Sequence, residues 1–298
     1  MQEIFDYFKQ KAEPLLAQLY ELRHSTIFPL LFHPQTSIAS WVISHIYDAL
    51  SHLKSKIDGN IDVILFSSGG DADTAFHIGK MLHKMTNGTL SFIVTRRAAS
   101  AATLLTFSGD KIFMGPPSEL SPIDPQIEVS PYRFVSAATV KESALLFLRE
   151  ITKQPDLPKT TVEAFLEKLP IKELVDYDRL LEHVEELAIE LLKLRMIKDE
   201  SKAKEVANKF VRGFKYHGRS ITIDDAIALG LSVEELPAVQ WDCVWEFSKK
   251  WETVSQIPAE EGSQILPLTI GNGLAFIPSK KANEIEETSS LHAILKRL

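Results

Sequence analysis

A single cysteine, Cys243, stands among the 298 residues, so no internal disulfide can form and the fold must rest on its apolar core. That usage suits a reducing compartment, and the chain reads as cytoplasmic. No apolar run approaches the roughly 20 residues a membrane-spanning helix needs. The most apolar early stretch, Ile27 to Phe32, is short, and Met1 to Asp6 lacks a basic leader region, so neither a membrane anchor nor a signal peptide is expected. Positive charge is in deficit, with 33 Lys and Arg against 40 Asp and Glu and a formal net charge of −7, which argues against a nucleic-acid partner or an anionic membrane surface. The sequence has no Gly-Lys-Ser/Thr phosphate loop and no dinucleotide fingerprint. His77 and His83 share one expected helix but lack zinc-site spacing, so no metal and no cofactor is expected. What remains is ordinary for a globular protein, with 45% hydrophobic and 24% charged residues. The length suffices for one large domain with an elaborated second part.

Periodicity supplies the architecture. Helical spacing predicts helices over 3–22, where Leu15, Leu16, Leu19 and Leu22 form a stripe, and over 37–57, with a strand at 27–33 between them. Ile61 to Phe66 is a strand of buried type, Asp71 to Met85 a helix, Leu90 to Thr95 a strand, Ser100 to Phe107 a short helix and Lys111 to Met114 a strand. This β-α-β-α-β order implies a parallel sheet with right-handed crossovers, whose ligands bind at the carboxyl ends of the strands. Prolines break the pattern through Ser121 to Gln126. Helix resumes over 136–153, a linker is expected over 154–158, and two or three helices over 160–212. A further short helix is expected with Thr222 as cap and Gly230 as terminator. Beyond about residue 237 the pattern weakens; Trp241, Trp245 and Trp251 cluster there as packing or as a partner face, and strands are expected within 266–277. There is no internal repeat.

Two strand-to-helix turns carry the chemistry. One holds Gly69 and Gly70 in the run Ser67-Ser-Gly-Gly70; the other holds Ser100 in Ala98-Ala-Ser100-Ala-Ala-Thr103. Both fall at strand carboxyl ends. A hydroxyl beside a loop of free backbone N–H groups is the minimum for acyl transfer: a nucleophile and an oxyanion hole. Ser100 is therefore a candidate nucleophile, with Gly69, Gly70 and Ala101 as candidate oxyanion donors. The competing readings are structural: Ser100 as a plain helix N-cap, and the glycines as a tight turn.

The segment from Val63 to Ile127 resembles the Clp protease/crotonase-like superfamily, and more closely the serine dehydrogenase proteinase family of Clp-fold peptidases, relatives of signal peptide peptidase A. Ser67-Ser-Gly-Gly70, Ala98 to Thr103, Ser118-Glu-Leu-Ser-Pro-Ile-Asp-Pro-Gln126 and the later stretch from His217 to Leu231 carry the resemblance in that order. The chain departs from the family pattern at Ala101-Ala102 and Ser121, where relatives carry glycine, and at Ser68, where proline is common. The resemblance implies an α/β Clp/crotonase-like fold of repeated β-β-α units around a mostly parallel sheet with a helical insert or extension. The division expected is a core over 1–153, a helical segment over 154–236 that returns to the core, and an extension over 237–298.

It also implies a serine peptidase that acts on a peptide or protein substrate and assembles as a homo-oligomer. The proton acceptor is left between two residues. Clp proteases carry a histidine after the third strand of the motif, where this chain has Asp124. Lys141, 41 residues after Ser100, would form a Ser–Lys dyad. His217, with Asp124 to orient it, would complete a permuted Ser–His–Asp set. Two other readings stand beside the peptidase: a catalytically silent scaffold that binds peptides or protein partners, and acyl-CoA chemistry of crotonase type, which nothing basic in the sequence is placed to support.

Overall fold

The computed structural model describes residues 2–34, 36–53, 59–130, 133–154, 157–167, 173–255, 264–270 and 273–279. The first half runs α1 (Gln2–Arg23), β1 (Thr26–Leu31), α2 (Val42–Leu53), β2 (Ile61–Ser67), α3 (Ala72–Met85), β3 (Leu90–Ala98), α4 (Ala101–Thr106) and β4 (Lys111–Met114). It continues through β5 (Glu119–Leu120), β6 (Gln126–Ser130), β7 (Arg133–Ser136), α5 (Ala137–Thr152), α6 (Lys159–Leu166), α7 (Leu174–Leu194) and α8 (Glu200–Arg212). The chain then forms α9 (Ile223–Leu229), β8 (Val233–Glu235), α10 (Ala238–Ser255), β9 (Gln264–Ile270) and β10 (Gly273–Ser279).

The strands build an eight-stranded sheet in the order β10-β9-β1-β2-β3-β4-β8, with β5 paired to the end of β3. From β1 to β8 every pairing is parallel, and β9 and β10 close one edge antiparallel. β6 and β7 form a separate antiparallel pair. Alternation along the strands explains the layering. Phe28, Leu30, Val63, Leu65, Phe92 and Val94 face a core shared with α2, α3, α4, α7 and α8. Their neighbours Ile27, Leu31, Ile64, Phe66 and Ile93 face α1 and α10. Both faces are covered, so the strands read as continuous apolar runs.

One charge is set into the second face. Asp62 on β2 is 2% exposed and receives a fork of hydrogen bonds from Arg23 at the end of α1, Nε to Oδ2 and Nη2 to Oδ1 at 3.2 Å. The guanidinium also lies 4.3 Å from the Phe113 ring centre and donates to Gln240 Oε1 at 2.9 Å. Removing one partner leaves the other charge buried without its counter-ion. Asp62→Ala is therefore expected to destabilise the fold by about 3 kcal/mol, read as a lowered denaturation midpoint.

The predicted β-α-β-α-β core is present, and Thr222 and Gly230 end α9 as expected, Thr222 in a capping box and Gly230 at φ 103°. The expected helix over 37–57 is α2, shorter at its start, and its residues 54–57 lie outside the described residues. Residues 155–156 of the expected linker, 168–172 of the helical region, 271–272 and 280–298 also lie outside them. Five elements escape sequence periodicity. β5, β6, β7 and β8 are too short to display a period. α10 does carry a buried stripe, Cys243, Val244, Phe247 and Trp251, but the stripe is widened by Trp241, half-buried against the same core and stacked on Trp245 6.2 Å away.

Candidate active site

The turn that holds Ser100 forms where β3 ends shortly before it and α4 begins immediately after it. Ser100 adopts φ 52°, ψ −118°, a conformation that L-residues rarely hold, and its side chain makes no capping hydrogen bond to the helix it precedes. The plain N-cap reading would need that bond. What holds the turn is a set of buried hydroxyls from elsewhere. Thr103 Oγ1 donates to Ala98 O at 2.6 Å and accepts from Ser121 N at 3.1 Å. Ser121 Oγ then accepts from Ser100 N at 2.7 Å and donates to Pro122 O at 3.0 Å.

Ser121 thus supplies the acceptor for the N–H of Ser100. Its Ala variant strands a nearly buried donor, with an expected cost of about 1–2 kcal/mol. A loss of reactivity at Ser100 of about fivefold or more is expected with it, to be read by melting and by labelling of the serine.

The glycine loop packs against this turn. Gly69 sits at φ 105°, and a Cβ there would lie 2.8 Å from Ala99 O and 3.0 Å from Ser100 Cβ. Glycine is therefore what lets the loop approach the serine. Gly70, at φ 148°, is clamped by residue 38: Ile38 N donates to Gly69 O and Asp71 N donates to Ile38 O, both at 2.8 Å. The N–H of Gly69 is taken by Ser67 Oγ at 3.1 Å. Among the described residues, no acceptor is set against the N–H of Gly70 or of Ala101.

A cavity of about 600 Å³ opens over these two turns, with Ser100, Ala101 and Gly70 in its lining. His217 lines the same cavity. Its Nδ1 lies 2.8 Å from Oδ1 of Asp124, a carboxylate 4% exposed whose Oδ2 accepts from Gln126 Nε2 at 3.1 Å. A carboxylate only accepts, so Nδ1 carries the hydrogen and Nε2 is left as the acceptor of the ring. Lys141 sits differently. It extends from α5 to α7, with Nζ 2.5 Å from Asp178 Oδ1, and is not among the residues that line the cavity.

Three residues of this site carry no signal that sequence reading could weigh. Thr103 looks like any small helix residue. Asp73 and His183 line the cavity and meet each other, Nε2 to the two carboxylate oxygens at 2.9 and 3.1 Å, across 110 residues of chain. Among the described residues, no group of three His, Cys, Asp or Glu is arranged to hold a metal ion, and no helix is long and apolar enough to cross a membrane.

The fold is thus a mostly parallel α/β sheet that carries a strained serine and a glycine loop at its strand ends. The chain belongs to the ClpP-like SDH-type serine proteinase family, whose model matches residues 43–247. Two uncharacterized proteins of Methanocaldococcus jannaschii are similar to it. One is 29% identical over 229 residues, which are 74% of this chain and 72% of the relative; the other is 29% identical over 176 residues, 59% of this chain and about half, 52%, of the relative. Among solved structures, the chain resembles a serine-to-alanine mutant of the 1510-N membrane-bound stomatin-specific protease, with 13% identity, 76% of this chain and 85% of that one covered and a TM-score of 0.47. It also resembles an asparagine-to-aspartate mutant of ClpP1 from Listeria monocytogenes, with 14% identity, 74% and 97% covered and a TM-score of 0.41.

Proposed function

We propose that the protein is a serine peptidase that works without ATP, in the cytoplasm, through an acyl-enzyme on Ser100, with His217 as base and Asp124 as its orienting partner. The observation that carries this is the hydrogen-bonded His217–Asp124 pair in the cavity that also holds the uncapped Ser100. Ser100 Oγ attacks the peptide carbonyl while Nε2 of His217 takes its proton. Asp124 holds the ring in the required tautomer and faces the positive charge that develops on it. The carbonyl oxygen, now negative, is met by the N–H groups of Gly70 and Ala101, with Gly69 providing space rather than a donor. The imidazolium returns the proton to the leaving amine, and water, activated by the same ring, then releases the acyl group.

Lys141 is the weaker base in this reading, because its ammonium is engaged with Asp178 rather than turned to the cavity. Self-association is part of the proposal. Leu146 on α5 and Val175 on α7, 58% and 57% exposed, are apolar side chains that a contact between copies would cover. Sedimentation velocity is expected to give a species larger than the 33.5 kDa chain.

The test is reaction with a fluorophosphonate probe. A stable adduct on Ser100, found by peptide mapping and lost in Ser100→Ala, is the expected result. A folded protein with no adduct would instead leave a scaffold that binds peptides without cutting them.

A further inference from the structure

The cavity has a second histidine–aspartate pair that the proposed reaction does not use. We propose that the wall formed by α7 and the start of α3 is a subsite for a basic side chain, lysine or arginine, of the bound peptide. Asp73 and His183 would read the cationic head and Leu180 and Val184 would bind the stem. This rests on the reading that the cavity receives a peptide.

Leu180, His183 and Val184 fall on one face of α7, at i, i+3 and i+4, and all three line the cavity. Such a face offers aliphatic surface next to a polar head group, which matches a side chain with a long apolar stem and a charged tip. The polar groups there are acceptors. Both oxygens of Asp73 face His183 Nε2, which carries a hydrogen toward them, and a ring with that single hydrogen offers Nδ1 as a lone pair. Asp71 also lines the cavity; its Oδ1 is taken by Thr74 N at 2.7 Å, while its Oδ2 accepts nothing among the described residues. Asp71 and Asp73 line this space, and among the described residues no lysine or arginine does. Asp124, nearby, is committed to His217 and Gln126, whereas Asp71 caps α3 and Asp73 meets His183, so among the described residues no lysine or arginine pairs with either carboxylate at the start of α3. His183 and Asp73 are 44% and 64% exposed, so water screens them in the free protein. A peptide laid over them excludes that water and strengthens their hold on a cation.

The experiment measures peptide binding to Ser100→Ala by fluorescence anisotropy, so that nothing depends on turnover. A labelled ten-residue peptide carries Lys, Leu or Glu at each position in turn. One position is expected at which Lys binds about tenfold tighter than Leu, and Glu weaker than both, with the gap narrowing in 0.5 M salt. Adding Asp73→Asn is expected to abolish the Lys preference and His183→Gln to reduce it. Absence of binding, absence of a Lys preference at every position, or a preference that survives Asp73→Asn overturns the subsite. If Ser100 takes no label while the Lys preference holds and depends on Asp73, the peptidase reading falls and the subsite stands.

Discussion

Replacing His217 with alanine is expected to slow acylation of Ser100 by about 10⁴-fold or more, the scale seen when a triad base is removed. The serine hydroxyl is a poor nucleophile at neutral pH, and among the described residues His217 is the only group in the cavity held by a buried carboxylate in the tautomer that leaves Nε2 free. Asp124→Asn should approach the same loss. An amide can present its N–H₂ to Nδ1 and turn the ring to the tautomer whose Nε2 carries hydrogen and accepts nothing. Lys141→Ala is the matched control. It breaks a part-exposed ion pair with Asp178, so reactivity within about threefold of the parent and a stability change below about 1 kcal/mol are expected. The measurement is the pseudo-first-order rate of fluorophosphonate labelling for each variant, with thermal melts to confirm folding. The reverse outcome, with Lys141→Ala silent and His217→Ala reactive, would transfer the base to α5 and require the Asp178 pair to open on substrate binding.

Gly70→Ala is the second large effect. A Cβ at this position would lie 2.3 Å from Ile38 O and 2.4 Å from Ile38 N, and both are backbone atoms held by their own hydrogen bonds. Neither can move aside without breaking the clamp on the loop, and the φ of 148° is itself strained for alanine. The loop must shift, and the N–H proposed to face the oxyanion shifts with it. Loss of one such donor costs about 10²–10³ in rate. Labelling of Ser100 is expected to fall by that factor, with a stability loss on the order of 2 kcal/mol from strain and overpacking. If melting falls as expected and labelling does not, Gly70 shapes the loop only and the oxyanion donor lies elsewhere.

Much of the core could be read from local pattern. Val63, Leu65, Phe92 and Val94 alternate with Ile64, Phe66 and Ile93, and a sheet covered on both faces has to read that way. The two turns were legible because each couples a strand-like run to a helix-like run through residues with a conformational reason to be there. The β6–β7 pair and β8 were not legible, since their pairing is fixed by partners distant in sequence rather than by their own composition. The tryptophans near the carboxyl end also needed the structure. Trp251 is 1% exposed in the core beneath α1, whereas Trp241 and Trp245 stack on each other toward the surface.

The candidate site divides the same way. Sequence by itself determined that Ser100 follows one strand and Gly69-Gly70 another, because strand, break and helix are local properties and the parallel crossover brings both ends to one edge. It also kept His217 and Lys141 level as bases, since each is one polar residue at a plausible distance along the chain. Only the tertiary structure gives them different surroundings. Packing of α5 on α7 turns Lys141 to Asp178, while the proline-bounded segment after β5 sets Asp124 against His217 across 93 residues of chain. Hydrogen bonds of that span leave no periodic trace, because they depend on where whole elements dock and not on what stands beside them in sequence.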